Sequence, residues 1–157
     1  MPWLDALLAY AHFVSIIAVV STVIAEAVLC RPGLTLQWAQ RLSRVDLLYL
    51  ITAALALTTG LLRLFFGAKG AAFYYNNPVF WVKIGLFVTV GLISIIPTLR
   101  FMRWTKALQT DTTHVIEGVI EDGELAGTAR IIYLELGLLA LIPLMATLMA
   151  RGFGYGW

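Results

Sequence analysis

Residues 78–104 read PVFWVKIGLFVTVGLISIIPTLRFMRW. Lys83 stands near the start of this run, Arg100 and Arg103 near its end, and no charge lies between Lys83 and Arg100. At 1.5 Å per residue, about 20 helical residues cross the roughly 30 Å of a bilayer's hydrocarbon core, and this run exceeds that length. In hydrocarbon every backbone N–H and C=O must be satisfied within its own segment, so the run is expected to be helical. It reads as a membrane span.

Three further apolar runs flank it, at residues 3–29, 45–66 and 129–150. The chain of 157 residues is 61% hydrophobic and 13% charged, with a mean hydropathy of +0.87. A soluble domain of this length needs more charge to cover its surface. The expected fold is all-α, a four-helix transmembrane bundle forming one integral membrane domain over residues 1–157. Gly60, Gly85, Gly91 and Gly137 suit close helix approach, and Pro97 and Pro143 predict bends.

Ala25-Glu26-Ala27 mimics a cleavage site for a secretory leader, but no Lys or Arg precedes Arg31. The basic n-region is therefore missing, and the run outlasts the usual apolar stretch of a leader. It reads as a retained first helix.

Orientation follows from the basic residues. Arg31, Arg41, Arg44, Arg100, Arg103, Lys106 and Arg130 fall on one side; Arg63, Lys69, Lys83 and Arg151 fall on the other. The richer side is expected in the cytoplasm, placing both termini on the outer, periplasmic side of a bacterial inner membrane. Trp3, Trp81, Trp104, Tyr155 and Trp157 are expected at the headgroup level. The longest polar stretch, residues 105–128, becomes a cytoplasmic connection. Its acidic segment His114–Glu124, HVIEGVIEDGE, suits a short surface helix. A net charge of +2 argues against nucleic acid as a partner, and the single Cys30 excludes an internal disulfide.

Ionisable residues at membrane depth are costly, by roughly 2.5–3.5 kcal/mol each on insertion scales, and usually face the bundle interior. They fall in two layers. The outer layer holds His12, Arg63 and Lys83, with Lys83 roughly 7–8 Å into its helix. The inner layer holds Glu26, Asp46, Arg100, Arg130 and Glu135, with Arg44 close by; opposite charges at similar depth predict structural ion pairs. His12 and Glu26 are fourteen residues apart and share one helix face.

His12 is the only histidine in any span. Two readings stand beside each other, a hydrogen-bonded packing residue and a ligand. Neutral imidazole is a good axial ligand for haem iron, and helix bundles commonly hold haem between facing helices. Arg63, Lys69, Tyr74 and Tyr75 at the rim suit haem propionates, and Lys83 suits a sixth ligand or a pocket base. Zinc and copper fit less well, because no second His or Cys lies at ligand spacing; Met145 and Met149 read as packing. No phosphate-binding glycine loop and no Ser/His/Asp set is present.

The segments EAVLCRPGL (26–34), FFGAKGAAFYYNNPVFWVK (65–83) and PTLRFMRW (97–104) closely resemble the small bacterial membrane family numbered 2214 among domains of unknown function. That likeness covers most of the chain and implies no activity. More remotely, the plan resembles the four-helix membrane protoporphyrinogen IX oxidase (HemJ type) and the copper-resistance D-type proteins. The shared positions are His12 in the first span and the W-x-K of Trp81–Lys83 in the third. In the oxidase type such positions are associated with haem b and activity. This chain departs from it with Ala25-Glu26-Ala27 at the end of the first span, and with no histidine in the third.

The expectation is a multi-pass inner-membrane protein binding haem b for redox or electron-transfer chemistry, porphyrin-related by that likeness. His12 is the metal ligand, with Lys83, Arg63, Tyr74 and Tyr75 around the cofactor. The alternative is a non-catalytic membrane subunit or assembly factor of a larger membrane complex. A homo-oligomer or a membrane redox complex would be the protein partner. A third reading, a proton-conducting bundle, would use Glu26, Asp46 and Glu135.

Overall fold

The computed structural model describes residues 2–68, 70–110 and 120–154. Four long helices run up and down: α1 (Pro2–Leu29), α2 (Leu36–Phe66), α4 (Pro78–Thr110) and α5 (Asp122–Ala150). The short α3 (Ala71–Tyr75) lies between α2 and α4. All four long helices are long and apolar enough to cross a membrane. This is a four-helix transmembrane bundle.

The helices outrun the apolar spans. α2 begins at Leu36, so Arg41 and Arg44 stand on helix rather than in a connection. α4 continues to Thr110, and α5 starts at Asp122. Most of the expected surface helix at 114–124 lies outside the described residues; its last residues open α5. Lys69, Tyr155 and Trp157 also lie outside them.

α1 packs chiefly on α2, and α4 on α5, while α2–α4 and α1–α5 contacts close the ring. Polar contacts fix the register of each antiparallel pair. Asp5 Oδ1 accepts from the Ala68 N–H at 3.0 Å. Ser43 and Thr105 share a hydroxyl bond of 2.9 Å between α2 and α4. At the other end of α4, Asn77 is fully buried. Its Oδ1 caps the helix by accepting from the Val79 N–H at 2.9 Å, with Pro78 at the first helical position where no N–H is needed. Its Nδ2 donates to the Phe153 carbonyl at 2.9 Å, which ties the cap to the chain beyond α5.

Apolar packing follows the heptad stripe of α1. Ser15, Val19, Val23, Glu26 and Cys30 are buried, so the polar stripe read from His12 to Glu26 faces inward. Val19, Val23, Leu42, Tyr49, Val90, Phe101, Trp104 and Ile132 share one core cluster. The outward residues are large and apolar, as expected where the solvent is lipid, Ile17, Leu92 and Leu99 among them.

Two expectations are corrected. Trp104 is not an interfacial residue: it is 2% exposed and packs on Phe101, because α4 carries it into the core below its last two turns. Of the four glycines expected to permit close approach, Gly85, Gly91 and Gly137 face open space, and only Gly60 meets a neighbour. Pro97 and Pro143 both lie inside helices, and Pro97 is buried.

Candidate functional site

The two layers of ionisable residues exist as separate sites. In the first, the seat of His12 is built by α2. A Cβ added at Gly60 would lie 3.1 Å from His12 Cε1, so the absent side chain is what lets the ring lie against the α2 backbone. His12 Nδ1 is 3.0 Å from Thr59 Oγ1. The Thr59 hydroxyl donates its own proton to the Leu55 carbonyl at 2.7 Å. The imidazole proton can sit on either nitrogen: Nδ1 faces the Thr59 hydroxyl, and the ring also makes a backbone hydrogen bond at Ala56. Metal-binding histidines are commonly oriented by a partner on the nitrogen that does not bind.

Around the ring, Lys83 on α4 and Arg63 on α2 both act on His12 electrostatically. Lys83 Nζ sits 5.4 Å from the centre of the Phe80 ring. Arg63 lies over Phe13 at 5.8 Å, and its buried Nε has no hydrogen-bond partner among the described residues. The layer is thus cationic, and no ion pair among the described residues neutralises either side chain.

Tyr74 and Tyr75 stand elsewhere in the rim. Tyr75 is 44% exposed and stacks on Trp81 at 6.1 Å, while Trp81 Nε1 donates to the Tyr75 carbonyl at 3.1 Å. Tyr74 packs on Phe73 and Phe80. Phe80 joins this aromatic plate to Lys83, so the plate borders the His12 layer through one ring.

A haem would need one axial nitrogen and cations for its propionates. His12 Nε2, the unpartnered Arg63 Nε and the Lys83 ammonium meet that chemistry. Cavities of about 330 Å³ beside Trp38 and about 190 Å³ beside Tyr49 are not lined by His12.

The second site corrects the expected ion pairs. Glu26, Asp46 and Glu135, from α1, α2 and α5, are 2%, 5% and 1% exposed, yet no arginine pairs with them among the described residues. Arg44 and Arg130 face outward. Arg100 turns instead to α5, where it donates to Thr128 Oγ1 at 2.9 Å and pairs with Glu124 at 3.6 Å. Arg103 also pairs with Glu124. An arginine's long stem lets its head reach the connection end of the bundle, where pairing avoids the cost of a buried charge. Asp46 Oδ1 is left with the Thr98 hydroxyl, which donates at 2.8 Å. Glu26 Oε1 and Glu135 Oε1 are buried with no partner among the described residues.

Thr59, Thr98 and Glu124 were not singled out as site residues in the sequence, and Gly60 was named there only for close helix approach. Thr59-Gly60 carried a weak signal, a small polar pair at the depth of His12 in the next span.

A family model described as "Predicted membrane protein (DUF2214)" matches residues 4–154. The chain belongs to that family. No curated protein and no solved structure matches the chain. Membership in DUF2214 brings a membrane setting and no activity, so the functional argument for this member rests on its two polar layers. Among the described residues, no group of three or more His, Cys, Asp or Glu side chains is arranged to hold a metal ion. A haem site differs in needing only one or two protein ligands, so that finding does not bear on it.

Proposed function

We propose that this DUF2214 member is a redox protein of the bacterial cytoplasmic membrane that holds haem b through His12 Nε2, with its termini on the outer face. The observation that carries the reading is the seat of His12: Thr59 Oγ1 holds Nδ1 at 3.0 Å, and Gly60 clears space for the ring within electrostatic reach of Arg63 and Lys83.

Haem, when bound, supplies one-electron chemistry. The chain's own contributions are then distinct. His12 binds, and Thr59 orients it. Arg63 and Lys83, as cations, would offset negative charge at the rim. The aromatic plate of Tyr74, Tyr75, Phe80 and Trp81 would border the cofactor layer through Phe80. The remote resemblance to the protoporphyrinogen oxidase type supports the same positions, His12 and Lys83, and makes porphyrin chemistry the first substrate class to assay.

The test is an absorption spectrum of the purified full chain, as isolated and after haem supplementation, beside a His12→Ala variant. A Soret band that His12→Ala abolishes supports the reading. Absence of any chromophore, with a stable protein partner co-purifying, would favour the non-catalytic membrane subunit.

A further inference from the structure

The inner layer has no role in the haem reading, and its chemistry is unusual enough to need one. Three carboxyl groups from three helices are buried within electrostatic reach of one another, Glu26 interacting with both Asp46 and Glu135. Other polar groups stand beside them. From α2, the Tyr49 phenol interacts with all three. From α4 come the Thr98 hydroxyl, bonded to Asp46, and, one helical turn nearer the terminal end, Ser94, whose hydroxyl donates to the Gly91 carbonyl. Beyond Glu26 lies Cys30, which stands between Glu26 and Arg100 electrostatically. Arg100 itself is committed to Thr128 and Glu124.

No cation among these neighbours pairs with the three carboxyls. Two of their oxygens, Glu26 Oε1 and Glu135 Oε1, are enclosed without a hydrogen-bond donor among the described residues. A buried carboxylate oxygen in that condition is costly unless a donor or a proton completes it. Among the described residues no group of three or more His, Cys, Asp or Glu side chains is arranged for a metal ion. Tyr49 and Ser94 also line a mostly apolar cavity of about 190 Å³, which none of the three carboxyls lines.

We propose that Glu26, Asp46 and Glu135 form a proton-holding site in the bundle, with the Tyr49 phenol beside it. A proton on one glutamate supplies the missing donor to a neighbouring carboxylate oxygen and removes a negative charge at the same time. A hydrogen bond between two of the carboxyls would let the site pass a proton from α1 to α5 with little motion.

The experiment is infrared spectroscopy of the full chain in lipid nanodiscs, following the C=O stretch of protonated carboxyls across about pH 5 to pH 9. Glu26→Gln, Asp46→Asn and Glu135→Gln keep volume and remove one acid each. The wild type should show a protonated-carboxyl band near neutral pH that shifts in heavy water, and Glu26→Gln and Glu135→Gln should each remove part of it. Haem propionates would not respond to those substitutions, so the outcome is independent of the haem reading. A wild type with no protonated-carboxyl band anywhere in that range overturns the proposal without recourse to a variant. So does a band untouched by all three substitutions. A band that disappears at fixed pH on adding sodium or calcium chloride would show a metal-cation site instead.

Discussion

His12 Nδ1 on α1 hydrogen-bonds Thr59 Oγ1 on α2 at 3.0 Å, and the ring lies against Gly60 in the next position. Two adjacent residues of one helix thus set both the position and the plane of an imidazole on another. Thr59→Val removes the partner while keeping the shape. Partners of this kind are worth 10–100-fold in ligand affinity where a histidine binds a metal centre. Haem titration of Thr59→Val should show a loss of about that size, with the fold intact by circular dichroism.

Gly60→Ala should act through contact rather than hydrogen bonding. Its Cβ would stand 3.1 Å from His12 Cε1, tight enough to push the ring aside. The expected result is a shifted Soret maximum or weaker haem retention, with Thr59 still present. Gly91→Ala, which meets nothing, is the matched control.

Cys30, just beyond α1, reports on the connection end of the bundle. Burial, with Glu26 nearby, pushes its thiol up to about 11 from 9.0, against the opposing pull of Arg100. Only the thiolate reacts, so a rise of about two units should slow alkylation roughly 100-fold near pH 8 relative to the unfolded chain. The sign for stability follows: the neutral thiol favours the folded state below about pH 9, and that contribution is lost as pH rises from there through about 11. Maleimide labelling against pH, with and without denaturant, checks both.

Asn77 joins the start of α4 to the end of the chain, and Gly154 makes room for it. Asn77→Ala loses the helix cap and the bond to Phe153, at a cost of about 2 kcal/mol. Gly154 has φ of +86°, and an added Cβ would fall 2.5 Å from Asn77 Oδ1, so Gly154→Ala should destabilise the same corner. The double variant should cost less than the sum of the two, because both break one contact. Thermal unfolding in detergent measures it. By contrast, Glu124→Gln, which loses partly exposed pairs to Arg100 and Arg103, should cost less than about 1 kcal/mol.

The bundle itself was legible in the sequence because lipid permits one solution for a run such as Pro78–Trp104. Helix ends were less so: hydropathy marks where hydrocarbon stops, whereas α2 and α4 continue through polar turns such as Leu36–Arg44 and Thr105–Thr110. The two layers of ionisable groups followed from depth along each helix. Their pairing did not, since depth says nothing of which way a side chain turns. Arg100 and Asp46 lie at similar depth, but Arg100 reaches Glu124 while Asp46 takes Thr98. Thr59 as the partner of His12 depends on the rotation of α2 about its axis, which one apolar sequence does not encode visibly.

The central claim is that His12 Nε2 is a haem ligand, and the most direct measurement is the absorption spectrum of the full chain, purified after expression with haem precursor. The account predicts a Soret band in the wild type, its loss in His12→Ala and its weakening in Arg63→Ala. A wild-type chain that folds, stays monodisperse and shows no Soret band after haem supplementation would contradict it.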